Sequence, residues 1–106
     1  VKQVNKLSSA GSQSTTIKTT ADKLFLLSEV EIFGSTSYSV SGEGTQYAYY
    51  KAGNSKVKNV SGSADSWWER SPCASASTHF CFVNSGGNAG YFSASYSSGV
   101  AFGFCV

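Results

Sequence analysis

The chain has 106 residues, 41% of them hydrophobic, and a net charge of +2, enough for one modest core read as a single domain over residues 1–106. Charged residues make up only 13%, and Lys51, Lys56 and Lys58 are the one local gathering of bases, which argues against a nucleic-acid partner. No apolar run reaches the roughly 20 residues of a membrane-spanning helix.

The N-terminal stretch is polar, with β-favouring Thr15, Thr16, Ile17, Thr19 and Thr20 after a turn expected at Gly11. It carries no signal peptide and no Met, so the expectation is the C-terminal portion of a longer protein. Leu24 to Leu27 is a short buried run. Ser28 and Glu31 then have the S-x-x-E spacing of a capping box, predicting a helix of barely two turns that Gly34 stops. Val30, Phe33 and Ile32 are its core-facing candidates. From Ser35 to Ser66 the glycines at 42, 44, 53 and 62 predict a loop, anchored by Tyr47, Tyr49, Tyr50 and Val57.

Strands are predicted after that point. Ser66-Trp67-Trp68-Glu69-Arg70-Ser71 ends at Pro72, which cannot continue a central strand. Phe80-Cys81-Phe82-Val83 runs into Asn84-Ser85-Gly86-Gly87-Asn88 and returns through Gly90-Tyr91-Phe92, a hairpin pattern. Gly99 to Val106 is a terminal strand in which Phe102 and Phe104 share one face by period two. Trp67, Trp68, Phe102 and Phe104 are expected inside, with Arg70 hydrogen-bonded. The fold class is therefore α+β, mostly β with a short helix.

All eight basic and six acidic residues lie at or before Arg70. The tail beyond it offers Tyr91 and Tyr96 among many serines, the mix of rigid aromatics and small polar groups found in antibody-like binding loops. Catalytic chemistry is poorly supplied. His79 is the only imidazole, so a Ser or Cys nucleophile has little choice of base, and three scattered cysteines with one histidine make no zinc site. No acidic cluster near the C-terminal loops suits calcium. No catalytic residue, metal or cofactor is expected. Cys81 and Cys105 are either small buried thiols or a disulfide pair.

Three blocks carry a family likeness: residues 22–31, with Asp22-Lys23-Leu24-Phe25-Leu26-Leu27-Ser28-Glu29-Val30-Glu31; residues 66–72, with Ser66-Trp67-Trp68-Glu69-Arg70-Ser71-Pro72; and the closing segment from Gly99 to Val106. In this order they resemble bacterial and phage domains related to the formylglycine-generating-enzyme type of C-type-lectin-like fold. The resemblance runs from about Ile17 onward. The N-terminal strand and first helix of that group are missing, and its catalytic cysteines have no counterpart here.

Variable proteins of diversity-generating retroelements share that fold, and in them a C-terminal segment is diversified by adenine-directed mutagenesis. Asparagine codons so altered cannot yield Lys, Glu, Gln, Met or Trp, and none of these occurs from Pro72 to Val106. The resemblance thus implies a non-enzymatic binding module with a variable region at about residues 73–101. Its ligand-facing residues would be Ala74, Ser75, Ala76, Ser77, Thr78 and His79 in one loop, and Tyr91, Phe92, Ser93, Ser95, Tyr96, Ser97 and Ser98 in another, with Phe82 and Asn84 beside them. These are expected on one contiguous exposed face, while Trp67, Trp68, Glu69, Arg70 and Phe102 serve the scaffold. The implied partner is a protein or glycan on a host or neighbouring cell, and the implied location a virion tail or bacterial cell surface. The alternative is a structural domain of a phage tail or bacterial surface protein without a diversified site.

Overall fold

The computed structural model describes residues 1–4, 16–76 and 78–104. The turn expected at Gly11, and Ser77, Cys105 and Val106, lie outside them. The architecture is mixed α+β and mostly strand. In chain order come β1 (Lys2–Val4), β2 (Ile17–Thr19), β3 (Leu24–Leu26), α1 (Glu29–Phe33), α2 (Ala48–Lys51), β4 (Lys58–Val60), β5 (Ser63–Asp65), β6 (Trp67–Pro72), β7 (His79–Val83), β8 (Ala89–Ser93) and β9 (Phe102–Phe104). Antiparallel pairing gives β1-β2, β3-β9, β4-β5 and the three-stranded β6-β7-β8.

The helix grammar read from residues 28–34 is realised in α1. The Ser28 hydroxyl accepts from the Glu31 N–H at 3.3 Å, and the Glu31 carboxylate accepts from the Ser28 N–H at 2.9 Å. Gly34 closes the helix at φ 73°, in the left-handed region, and donates to the Val30 carbonyl. Of the helix's three core-facing candidates Ile32 is fully buried, whereas Val30 and Phe33 are partly covered. The core gathers Leu27, Ile32, Tyr50, Trp67 and Val83, with Phe25, Phe33 and Ala101 packed against it.

Arg70 knits this core to the neighbouring elements, as expected for a hydrogen-bonded scaffold residue. Its guanidinium forms an ion pair with Glu31, both side chains being more than nine-tenths buried. It also donates to the carbonyls of Leu26 and Glu43, each at 2.8 Å. A planar fork with several donors suits this task better than an ammonium would. β3, α1, β6 and the segment around Glu43 are thereby tied at one residue.

Four expectations need correction. The run from Leu24 to Leu27 is not buried throughout, because Leu24 lies exposed at the start of β3. The 35–66 stretch is not all loop, because it contains α2 and the β4–β5 hairpin. Of its expected anchors only Tyr50 is buried; Tyr47, Tyr49 and Val57 are exposed. Phe102 and Phe104 do share one face, but each is 64% exposed. The β3–β9 register explains this, since Leu24 opposes Phe104 and Leu26 opposes Phe102, while Gly103 opposes Phe25. Phe25 turns inward onto the core, so the phenylalanines flanking Gly103 must turn outward. Trp67 is buried at 1% exposure, and Trp68 is half-buried on the other side of β6.

Candidate ligand-binding face

The β6-β7-β8 sheet positions most of the expected site residues, and strand alternation decides where each points. On β7, Cys81 and Val83 are fully buried, so His79, Cys81 and Val83 line the inner face. Their partners on β8 are Ser93, Tyr91 and Ala89. Phe80 and Phe82 lie on the outer face, opposite Phe92 and Gly90. Residues directly opposed in a ladder share a face. Tyr91 and Phe92 therefore project to opposite sides of the sheet.

This splits the expected set in two, and the single contiguous face is corrected accordingly. The first group lies at the rim of the inner face. Here the His79 and Tyr91 rings are 5.8 Å apart, and Tyr91 packs at 5.0 Å on Tyr38. Ala74 donates to the Tyr38 carbonyl, Ser75 approaches the Cys73 thiol, the Ala76 carbonyl accepts from the His79 N–H, and the Thr78 hydroxyl sits 3.0 Å from His79 Nδ1. The second group lies on the outer face and includes Phe82, Asn84, Phe92 and Tyr96. Ser98 joins it through a short hydroxyl contact with Ser66. Ser95 bonds to Ser93, and Ser97 is exposed in the turn that follows β8. Ser77 lies outside the described residues.

On the outer face four aromatic rings run in sequence across the sheet. Centroid separations are 5.9 Å for Trp68–Phe82, 6.3 Å for Phe82–Phe92 and 4.4 Å for Phe92–Tyr96. Phe82 can lie flat because its partner is Gly90, where an added Cβ would sit 2.5 Å from the ring. Phe92 and Tyr96 remain nearly half exposed.

At one end of this row is a hollow of about 210 Å³, walled by Asp65, Ser66, Asn84 and Ser85 around the rings of Phe82, Phe92 and Tyr96. At the other end a wider cavity of about 460 Å³ is lined by Leu26, Trp68, Phe80 and Ala94, with Glu69 and Arg70 behind. Asn84 has a double role. Its Oδ1 accepts from the N–H groups of Gly86 and Asn88, at 3.0 Å each, which shapes the β7–β8 turn.

Behind the sheet the chemistry is different. Glu69 is 1% exposed, and neither carboxyl oxygen has a hydrogen-bond partner among the described residues. Burial first, then the negative charges of Glu29 and Glu43, pushes its pKa up to about 9. Glu29 itself accepts from the Tyr38 and Ser39 N–H groups and the Ser39 hydroxyl. Burial, with Glu69 next in effect, also pushes the Cys81 thiol upward. Cys73 and Cys81 are both free and buried. A thiol held protonated in this way is a poor nucleophile at neutral pH.

The site residues missed by sequence reasoning are Asp65, Ser66, Ser85 and Trp68. Asp65 stands alone in the sequence, and only the β4–β5 hairpin carries it to the rim of the sheet. Trp68 reads as a scaffold residue by its motif, although its alternation with buried Trp67 is a sequence signal for an outward position. Among the described residues no group of three or more His, Cys, Asp or Glu side chains could hold a metal ion. No helix of the described residues is long and apolar enough to cross a membrane.

No curated protein and no solved structure matches the chain. A family model described as "Domain of unknown function (DUF6273)" matches it over residues 1–106, and the chain belongs to that family.

Proposed function

We propose that this chain is a non-enzymatic ligand-binding module whose working surface is the outer face of β6-β7-β8. It would engage a protein or glycan on a host or neighbouring cell, from a virion tail or bacterial cell surface. The C-type-lectin-like fold of the formylglycine-generating-enzyme type belongs to the same proposal and rests on the resemblance of the three sequence blocks. The observation that carries the binding reading is the row Trp68–Phe82–Phe92–Tyr96, open to solvent at the Tyr96 end and bordered there by polar side chains. Rigid aromatics beside small polar groups provide contact area at low entropic cost. Of the variable region proposed for residues 73–101, the part serving the ligand is then Phe82, Asn84, Phe92, Tyr96 and Ser98.

The split of the expected set between two faces is the observation that favours the alternative, a structural domain of a phage tail or surface protein. Binding of the fluorescently labelled chain to a panel of intact bacterial cells separates the two readings. The Phe92→Ser/Tyr96→Ser variant should bind at least about tenfold more weakly, a loss of ~1.4 kcal/mol. The His79→Ser/Tyr91→Ser variant should keep its affinity. Phe92, Tyr96 and Tyr91 are exposed and His79 is half-buried, so melting should shift by only a few degrees. Absence of binding by the parent chain, or equal losses in both variants, would overturn the binding reading in favour of the structural one.

A further inference from the structure

We infer that the hollow beside Tyr96 is a saccharide subsite that takes one neutral hexopyranose ring, an inference that rests on the binding-module reading above. Its floor is aromatic, made by Phe82, Phe92 and Tyr96, and its rim is polar, made by Asp65, Asn84 and Ser85. A pyranose has the complementary construction, with C–H groups on its faces and hydroxyls around its edge. The volume of about 210 Å³ holds a group of single-ring size and is below that of most drug-sized ligand sites.

The rim groups have hydrogen-bonding capacity to spare. Asp65 Oδ1 accepts from the Ser66 N–H at 2.7 Å, which fixes the carboxylate, while Oδ2 has no partner among the described residues. Asn84 Oδ1 is fully used by Gly86 and Asn88, which turns the amide nitrogen into the spare donor. The Ser85 hydroxyl and the Tyr96 phenol likewise have no partner among the described residues. A carboxylate acceptor and an amide donor in one hollow match two neighbouring sugar hydroxyls, one donating and one accepting.

Other small ligands are matched less well. A purely apolar group would bury the Asp65 carboxylate unpaired, which is costly. An anion would meet Asp65 with no cation among the lining residues. A lysine or arginine side chain from a protein partner would find one carboxylate, but it has no acceptor to offer the spare amide donor of Asn84. A neutral polyol ring leaves none of these conflicts.

The test uses the full chain with methyl glycosides of neutral hexoses and N-acetylhexosamines, read by saturation-transfer NMR and titration. At least one should bind with Kd on the order of 1 mM, as suits a single-ring subsite. Asp65→Ala and Tyr96→Ala should each weaken that binding by about tenfold or more with unchanged melting, and the matching hexuronate should bind more weakly than the hexose. No transfer to any of these sugars, binding indifferent to both substitutions, or preference for the uronate would each overturn the inference. Cell binding then separates it from the broader reading. Loss of cell binding after periodate treatment of the cells supports the saccharide. Loss after protease but not periodate overturns the saccharide and leaves the binding module standing. No cell binding by the untreated parent overturns both.

Discussion

Glu69 should make this fold lose stability as pH rises through neutrality, and Glu69→Gln should abolish that loss. The side chain is 1% exposed, without a partner for either oxygen among the described residues, and its pKa is raised from 4.5 to about 9. The folded state therefore holds this proton far more tightly than the unfolded state does. Below pH 4.5 both states are protonated and Glu69 imposes no pH-dependent cost. Between 4.5 and 9 the unfolded chain ionises while the folded chain does not, and unfolding becomes more favourable at about 1.4 kcal/mol per pH unit. From pH 5 to pH 8 the linked loss is about 4 kcal/mol. Water entry and local rearrangement around the β6 bulge would reduce it, so about 2–4 kcal/mol is the working range. Against a total stability of ~5–15 kcal/mol for a domain, that is a large share.

Glutamine keeps the shape and leaves a neutral polar group at the same place, at a cost that does not vary with pH. Urea unfolding at pH 5, 6.5 and 8, followed by the fluorescence of Trp67 and Trp68, gives both stabilities. The two chains share every other titrating group, so the difference between their pH slopes isolates Glu69. The parent and variant should be similar at pH 5, and the variant more stable by about 2–4 kcal/mol at pH 8. Parallel slopes would refute the reasoning, because Glu69 would then be ionising in the folded state with its charge compensated.

Two further substitutions test the packing. Ser28→Ala removes the hydroxyl that accepts from Glu31 and donates to the Glu43 carbonyl at 3.0 Å; it should cost about 0.5–2 kcal/mol in urea unfolding, toward the upper end because the site is buried. Phe102→Ser, at an exposed position of β9, should change stability by no more than ~0.5 kcal/mol, whereas Trp67→Ala in the core should cost about 3–5 kcal/mol, both read as shifts in the unfolding midpoint.

The features legible in the sequence are those set by neighbours a few residues apart. The Ser28–Glu31 box spans three residues, and its geometry follows once those side chains are named. The β7–β8 hairpin is written in Asn84-Ser85-Gly86-Gly87-Asn88, where Asn84 organises the turn and Gly87 takes φ 84°. What escaped was set by distant pairing. Period two says that Phe102 and Phe104 share a face, but only pairing with β3 says which face is outside. Glu69 is hidden for a different reason. Period two from buried Trp67 places it inward, and that alternation persists along β6 even though Glu69, Arg70 and Ser71 all stand against the single residue Cys81. Whether a carboxylate held there meets a hydrogen-bond donor depends on the distant elements packed against β6, and among the described residues neither of its oxygens does.

The same dependence on register governs the candidate site. Tyr91 and Phe92 are adjacent and chemically similar, so composition groups them, while the Cys81–Tyr91 and Phe80–Phe92 pairs separate them. A slip of one residue in this hairpin would exchange the two faces, sending Tyr91 to the aromatic row and Phe92 inward. Gly90 opposes such a slip, since the Phe82 ring occupies the space that any larger partner would need. The facing of β7 itself is held by Val83, fully buried opposite Trp67. The core residue and the glycine together select which aromatics face outward. On the proposed binding reading, the specificity of the outer face would be set as much by residues that touch nothing outside the protein as by Phe92 and Tyr96.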